Sequence, residues 1–506
     1  MDEQQRIKAY INLVEQLLAS PREANRILDQ SLDLVDEWFM VVCGLMAVHL
    51  QKSGEQKKAL FLRNLTEQVA EYLKQQASRG VNEPRQSQYT AIEEEYRQFF
   101  TSLLQVELES NSDPRVVYPF LEQHQDQLDL TFAEYITQWF DPKISRTHSK
   151  DSRTLGLLMK HLAIDILQSP FGIRSNKIEI VIALCKGALQ CINQHEKPKE
   201  WADIQGFLGF SYNDRIQGNR QDNLEQAINY HTTALRFFTN TNYPNEWARI
   251  QNNLGIAYRN RIAGNLSENI EKAIACYNAA LGVYKRQQFP QEWAGVLMHL
   301  GVAYCNRIRG DRAENIERAI ACLQEALAVY QPETFPEPCA MTQQNLGNAY
   351  LFRIKGDRGE NIEKAIACYN AASQLHQNQR RLSYWADTKM CLGLAYSHRM
   401  IDDQKQNIEK AIAYYKEALK FYTYDAYPQK WAMTQNNLGI AYFDRIMGEK
   451  AENLEQAIAC YQAALQVYTR TNFPEDWALP KIIWVMPTYT AEKGMRRKTK
   501  KKPLLH

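Results

Sequence analysis

Four cysteines recur in one register of the sequence, at Cys276, Cys322, Cys368 and Cys460. Regularly spaced thiolates could form a zinc ladder, in which each sulfur lies about 2.3 Å from a metal. Equivalent positions of neighbouring repeats, however, are separated by packed helices about 8–10 Å apart. No CxxC pair supports a zinc or redox motif, and Tyr230 and Tyr414 occupy the same register elsewhere. We therefore predict partly buried, reduced thiols, with no metal site and no cofactor.

Arginine recurs in the same way, at Arg215, Arg261, Arg307, Arg353, Arg399 and Arg445. Each arginine has a glutamate ten residues later, such as Glu271 for Arg261 and Glu317 for Arg307. Local ion pairs that fix a turn are the favoured interpretation, and each would contribute about 0–1 kcal/mol. A charged stripe that binds an acidic ligand is the alternative.

Histidines offer little support for catalysis. His231 and His299 lie at helical repeat positions and form neither a triad nor a metal-ligand spacing. We predict structural roles for both, no catalytic residues and no enzyme activity.

These side chains are positioned by a repeat with a period of 46 residues. Tryptophan marks the period, and cysteine replaces it once: Trp201, Trp247, Trp293, Cys339, Trp385, Trp431 and Trp477. A long fixed period without insertions indicates a stack of similar units.

The unit at Trp247 illustrates the predicted fold. Pro244 suits the first turn of a helix, and three- and four-residue apolar spacing predicts one buried face that continues to Ile262. Gly264 is a C-terminal stop, and we predict that Asn269 caps a second helix. Each repeat is thus an antiparallel helical hairpin. Glycine inside a helix costs about 1 kcal/mol, so the glycine that recurs in the first helix predicts a packing notch.

The repeat resembles the tetratricopeptide repeat, which pairs Leu-Gly-x-x-Tyr on one helix with Ala-x-x-x-aromatic-x-x-Ala on the next. The matching residues are Leu254, Gly255, Tyr258, Ala273, Tyr277 and Ala280. The present repeat is extended by an insertion between Tyr258 and Ala273 and by a longer loop after the second helix. The resemblance implies an all-α fold, in which a helical leader domain precedes a right-handed superhelical solenoid of helix hairpins.

The resemblance also implies a concave surface, lined by the first helices, that binds a peptide or protein partner. In that family, an asparagine just before Leu-Gly contacts the ligand backbone. The predicted partner-binding residues are Asn252, Asn253, Arg259, Asn345, Asn348, Asn436 and Asn437. The alternative is that these asparagines bond to neighbouring backbone within the repeat itself.

The periodicity predicts the following organisation: an all-helical N-terminal domain over 1–142, a linker over 143–154, a degenerate capping repeat over 155–200, six repeats over 201–476, and a truncated seventh repeat with a basic tail over 477–506. In that tail, Lys481 to Thr488 replace the expected repeat motif, which a one-base frame shift near Leu479 would restore. Without the seven basic residues that follow, the formal net charge moves from +2 to −5. That balance disfavours binding to a phosphate backbone.

The leader resembles the region that precedes such repeats in proteins ending in a caspase-like CHAT protease domain. The resemblance lies in Ala9 to Leu18, Phe61 to Leu65 and Pro114 to Pro119. No apolar run reaches the roughly 20 residues of a membrane helix. The leading prediction is a cytoplasmic interaction scaffold that binds neither nucleic acid nor membrane. The alternative is the regulatory portion of a CHAT peptidase whose catalytic domain is absent from this chain.

Repeats four and five depart from the consensus. Cys339 replaces tryptophan, His376 replaces tyrosine, and Asp402 replaces glycine. A weakened junction there would let the array flex, and would be detected as faster hydrogen exchange over residues 373–402.

Overall fold

The computed structural model describes residues 3–35, 39–40, 43–44, 46–47, 50, 55–77, 87–139, 150–378 and 381–469. Regular structure within these ranges is exclusively helical, which confirms the predicted all-α fold. None of the helices described there combines the length and apolar character needed to cross a membrane. The tail over 477–506 lies outside the described residues.

The chain forms two compact units, 1–264 and 265–506. This division falls between the two helices of the second repeat. The domain limits drawn from the sequence remain predictions.

The leader contains six described α-helices and two short 3-10 turns. The helices are Glu3–Ala19, Ala24–Asp29, Gln56–Ala77, Ser87–Ser110, Pro114–Gln123 and Leu130–Trp139, with the turns at Pro21–Glu23 and Leu32–Leu34. Residues 10–69 contribute one apolar core. The later helices form a second core, in which Phe100 and Phe132 pack together with Leu162, Ile182 and Leu208 of the following helices. That second core joins the end of the leader to the start of the array.

Helices then follow in pairs. The first pair is Lys150–Gln168 with Arg174–Cys191, and within the described residues six further pairs follow it, which we number as repeats 1 to 6. Repeats 1 to 6 contain, in order, Pro198–Asp214 and Arg220–Ala234; Pro244–Asn260 and Leu266–Val283; Pro290–Asn306 and Arg312–Leu327; Pro336–Leu351 and Arg358–Asn378; Leu382–Ser397 and Gln404–Leu419; Pro428–Phe443 and Lys450–Ala464. We call the two members the first and second helix of a repeat. Within each unit the two helices of a repeat pack against each other, which confirms the predicted hairpin.

Turn chemistry explains where these helices begin and end. Proline occupies the first turn of most first helices, where its missing N–H costs no hydrogen bond. The second helix of repeat 2 begins at Leu266, and the Asn265 side chain accepts a hydrogen bond from the Glu268 amide at 3.1 Å. Asn269 is therefore not the cap that the sequence predicts, because it lies inside the helix and is buried. The Gly310 turn has φ of 80°, a conformation that favours glycine.

The recurring first-helix glycines are packing notches, as predicted. A Cβ atom added at Gly347 would lie 2.6 Å from Cε1 of Tyr369, and one added at Gly439 would lie 2.7 Å from Cε1 of Tyr461. The absence of a side chain therefore lets the ring of the second helix lie directly against the first helix.

Candidate partner-binding surface and inter-repeat contacts

The first helices of repeats 4, 5 and 6 lie side by side and form one surface. The Thr388 hydroxyl donates to Oε1 of Gln344 at 2.8 Å, and Sγ of Cys391 lies 3.8 Å from Oδ1 of Asn348. Equivalent faces of successive repeats are thus in direct contact. We call this set of first-helix side chains in repeats 4 to 6 the first-helix surface.

Four predicted partner-binding residues lie on the first-helix surface, and all four are half-buried: Asn345, Asn348, Asn436 and Asn437. Oδ1 of Asn348 accepts a hydrogen bond from the Tyr369 hydroxyl at 2.8 Å, so this side chain also links the two helices of its own repeat. Oδ1 of Asn436 is buried and has no hydrogen-bond partner among the residues that the structure describes. It is therefore an acceptor that no donor in the described part of the chain satisfies.

The other three predicted residues belong to the unit 1–264. Asn252 and Arg259 are half-buried, whereas Asn253 is only 9% exposed. The backbone carbonyl of Asn253 accepts a hydrogen bond from Nδ2 of Asn213 at 3.0 Å. Asn253 therefore participates in packing between the first helices of repeats 1 and 2.

The first-helix surface is rich in uncharged polar and sulfur-containing side chains. Met341 and Met433 occupy one register two repeats apart, whereas Met390 lies in the register of Gln344 and Asn436. All three methionines are half-buried. Near one end of these helices, Nζ of Lys430 lies 2.5 Å from Oδ1 of Asp387, and the two charges neutralise each other. The sequence prediction omitted the methionines and Gln344, because no constant residue type marks their positions in the 46-residue period.

The recurring arginines form ion pairs, but with different partners from those predicted. Nε and Nη2 of Arg353 donate to the two carboxylate oxygens of Glu317 at 2.8 Å each. Glu317 belongs to the second helix of the preceding repeat, 36 residues earlier. The same bidentate pair forms at Arg215, Arg261, Arg307, Arg399 and Arg445, with Glu179, Glu225, Glu271, Glu363 and Glu409 respectively.

These pairs join one repeat to the next. The side chains of Arg353 and Glu317 are 23% and 27% exposed, so solvent screens them less than a fully exposed pair. The hydrogen bonds from Arg353 lower the pKa of Glu317. Because each arginine is already held by a carboxylate, the arginine row does not form the alternative acidic-ligand site.

An asparagine fixes the turn that the arginines were expected to fix alone. Nη1 of Arg353 contacts Oδ1 of Asn361 at 3.4 Å, and Nδ2 of Asn361 donates to the carbonyl of Lys355 at 2.9 Å. Asn223, Asn315, Asn407 and Asn453 make equivalent bonds to the loops of their own repeats. The loop between the two helices of a repeat is therefore held from both sides.

The histidines and cysteines do not form a nucleophilic site in the part of the chain that the structure describes. His231 is fully buried against Gly209, and burial lowers its pKa to about 3. Burial raises the pKa of the Cys276, Cys322 and Cys368 thiols to about 11, and a protonated thiol is a poor nucleophile and metal ligand. These three cysteines are half-buried, as predicted, and Cys460 is buried. The described residues also contain no group of three or more potential metal ligands.

Comparison with known families identifies the repeats. A tetratricopeptide repeat model matches residues 431–475, and a Sel1 repeat model matches 249–281, 297–328, 340–376 and 389–420. The matched segments of the array are therefore similar to tetratricopeptide and Sel1 repeats. This confirms the resemblance seen in the sequence, whereas the CHAT-associated resemblance of the leader remains a prediction.

Among solved structures, the chain is similar to one in the crystal structure of the APC/C hetero-tetramer Cut9–Hcn1, with 14% identity and a TM-score of 0.41. The alignment covers 94% of this chain and 86% of that one. A search of curated proteins found no matching sequence.

Proposed function

We propose that this protein is a non-catalytic interaction scaffold that binds an uncharged, extended segment of a protein partner on the first-helix surface. Tetratricopeptide and Sel1 repeats support the general role in protein interaction. The proposal that the bound segment is extended and uncharged rests on the side-chain amide groups of the first-helix surface, which can both donate and accept hydrogen bonds. We also propose a cytoplasmic location, in keeping with the sequence prediction.

The observation that carries this proposal is the buried, unpartnered Oδ1 of Asn436. A buried acceptor without a donor costs about 1–3 kcal/mol, and a ligand N–H would relieve that cost. Asn437 lies beside it, and Asn345 occupies the equivalent register two repeats earlier. A carboxamide has both donors and an acceptor, so these side chains suit the alternating N–H and C=O groups of an extended peptide.

The surrounding side chains define the chemistry of the segment. Methionines adapt their shape to different apolar side chains, and the first helices of repeats 4 to 6 contain three half-buried ones. The Lys430–Asp387 pair leaves no net charge at its end of the surface. We infer that the ligand is neutral and partly apolar, in contrast to an acidic or phosphorylated segment.

We propose Asn252, Asn253 and Arg259 as a second contact region, within the unit 1–264. Asn252 and Arg259 have the exposure needed to contact a partner, whereas little of Asn253 reaches the surface. The regulatory part of a CHAT peptidase remains the alternative function, and it rests on the resemblance of the leader alone.

Selection of peptides from a random displayed library on the full chain tests the proposal. We expect neutral peptides containing apolar residues, and Asn437→Ala should weaken their binding about tenfold, which corresponds to the loss of about one hydrogen bond. Asn370→Ala is the matched control, because Asn370 is exposed on a second helix. Selection of no peptide, or peptides whose affinity is the same for Asn437→Ala and wild type, contradicts the assignment.

A further inference from the structure

The second helix of repeat 6 has the residues of an interior repeat but is not covered like one. In repeats 2 to 5, two isoleucines of each second helix are at most 7% exposed: Ile270 and Ile274, Ile316 and Ile320, Ile362 and Ile366, Ile408 and Ile412. The equivalent residues of repeat 6, Leu454 and Ile458, are only half-buried. Their helix, Lys450–Ala464, is the last one among the described residues.

In an interior repeat, the first helix of the next repeat covers these positions. Ile408 and Ile412 of repeat 5 share one apolar core with three residues of the repeat 6 first helix: Leu438, Ala441 and Tyr442. The same contact between a second helix and the following first helix recurs along the unit 265–506. The structure therefore shows, repeat after repeat, which kind of element fits this face.

A glutamate beside the apolar residues is paired in the preceding repeats and exposed in repeat 6. Nε and Nη2 of Arg445 donate to the two carboxylate oxygens of Glu409 at 2.6 Å and 2.9 Å. Glu455 is the equivalent glutamate of repeat 6. It is exposed, and it forms no ion pair within the described part of the chain. We call Leu454, Glu455 and Ile458 the end face.

The residues that follow in this chain do not carry the pattern of a covering helix. One period after Leu438, Ala441, Tyr442 and Arg445, the sequence has other residue types: Trp484, Pro487, Thr488 and Ala491. These four positions lie outside the described residues. Proline inside a helix removes a backbone hydrogen bond and clashes with the preceding turn, and alanine cannot pair with a glutamate. The cognate pattern for the end face must therefore come from another chain.

We propose that the end face binds an amphipathic helix of a partner protein that carries the first-helix pattern Leu-x-x-Ala-Tyr-x-x-Arg. Its apolar residues would cover Leu454 and Ile458, and its arginine would make the bidentate pair with Glu455. Residues at three- and four-residue spacing are the usual anchors when a helix binds in a groove. A terminal repeat that needs no partner carries a polar outer face, whereas the end face keeps interior residue types. Because the end face lies on a second helix, this proposal and the first-helix surface can fail separately.

Binding of a fluorescent peptide to the full chain tests the proposal. The peptide has the sequence of residues 428–446 and a covalent staple between positions 433 and 437, which lie outside the contacting pattern. The staple is needed because an isolated helix of this length is marginal in water. We expect saturable binding with a Kd below about 0.1 mM. No saturable binding, as would result if the tail of this chain occupied the end face, overturns the proposal.

The ion pair is tested by removing one charge at a time. Arg445→Met in the peptide and Glu455→Gln in the protein should each weaken binding about tenfold, because each removes the charge-assisted hydrogen bonds. Glu452→Gln in the protein is the matched control, because Glu452 is an exposed glutamate of the same helix that interacts with Arg445 of its own repeat. Equal affinity for Glu455→Gln and wild type, or an equal loss in Glu452→Gln, contradicts the assignment.

A charge exchange tests the orientation of the bound helix. Glu455→Arg should abolish binding of the unchanged peptide, and a peptide with Arg445→Glu should restore it. Circular dichroism establishes that each protein variant is folded. Failure of the exchanged pair to bind rules out this pairing. Sedimentation of the full chain alone should show no self-association that depends on Glu455, and a dimer lost in Glu455→Arg would show that a second copy, and not a partner protein, occupies the end face.

Discussion

The ion pair between Arg353 and Glu317 gives a quantitative test of how neighbouring repeats are held together. Arg353→Met removes two 2.8 Å hydrogen bonds but keeps much of the aliphatic stem, and Glu317→Gln removes the carboxylate charge at nearly constant size. Exposed ion pairs contribute about 0.2–1 kcal/mol, whereas hydrogen bonds to charged groups contribute about 1.5–3 kcal/mol. Both side chains are about a quarter exposed. We therefore expect a coupling free energy of about 1–2 kcal/mol in a double-mutant cycle.

The matched control is a cycle between Arg353 and Glu363, the glutamate ten residues later. Glu363 is bonded to Arg399 of the next repeat at 2.6 Å and 3.1 Å, so its coupling to Arg353 should be below about 0.3 kcal/mol. Urea unfolding at low salt measures both cycles. Because repeat arrays depart from two-state unfolding, hydrogen exchange over Arg312–Leu327 and Arg358–Asn378 provides a local readout.

Coupling of Glu363 to Arg353 as strong as that of Glu317, or no coupling from either glutamate, would refute the role of the Arg353–Glu317 pair in joining the repeats. The Glu317 coupling should also decrease in about 1 M salt, where the Debye length is about 3 Å. A coupling that is unchanged by salt would show that packing of the arginine stem, and not charge, joins the repeats.

Three further changes have defined outcomes. Gly347→Ala should lower the urea midpoint, because the new Cβ atom would lie 2.6 Å from the Tyr369 ring, which is hydrogen-bonded to Asn348. Overpacking costs about 1–3 kcal/mol, which exceeds the gain of about 1 kcal/mol from replacing glycine by alanine in a helix. The control Gly282→Ala should instead stabilise the protein, because its new Cβ atom would have no atom within 4 Å. His376→Tyr should stabilise by about 1–2 kcal/mol, because both buried ring nitrogens lack hydrogen-bond partners among the described residues, whereas Tyr330 and Tyr422 in that register donate to a backbone carbonyl. The His376 pKa is lowered by burial to about 4, so its contribution to stability is lost as pH falls from about 6.5 to about 4, and melting of His376→Tyr should lack that loss. Burial raises the pKa of Glu107 to about 7 and also raises the pKa of Asp165. The folded state therefore binds more protons than the unfolded state, and the free energy of unfolding falls as pH rises from about 4.5 to about 7. Glu107→Gln should flatten this slope in pH-dependent melting, and an unchanged slope would contradict the assignment.

Much of the fold could be predicted from local sequence signals. Proline in the first turn, glycine in the loop and three- and four-residue apolar spacing act within one or two helical turns, so a single repeat contains enough information to predict its hairpin. The packing notches at Gly347 and Gly439 were predictable for the same reason, because a costly glycine repeated inside a helix requires a close neighbour.

Details that depend on side-chain direction were not predictable in this way. Asn269 has the residue type of a helix cap, but Asn265 reaches the free amide and Asn269 lies one turn further on. Ile262 fits the apolar spacing of the first helix, yet the helix ends two residues earlier and leaves it exposed. On the candidate site, the sequence identified the half-buried asparagines, and only the packed structure distinguished the bonded Asn348 from the unpartnered Asn436 oxygen.

The sequence by itself determined the period, the helical hairpin and the composition of each surface, because these depend on residues close together in the chain. It could not determine which glutamate each arginine binds. Positions ten residues after and 36 residues before an arginine differ by the 46-residue period, so both hold glutamate and have the same local sequence context. Only the stacking of one repeat on the next brings the earlier glutamate to the arginine. The tertiary structure therefore decided that this ion pair joins neighbouring repeats. The two candidate glutamates have the same local sequence, and only their distance from the arginine in space distinguishes them.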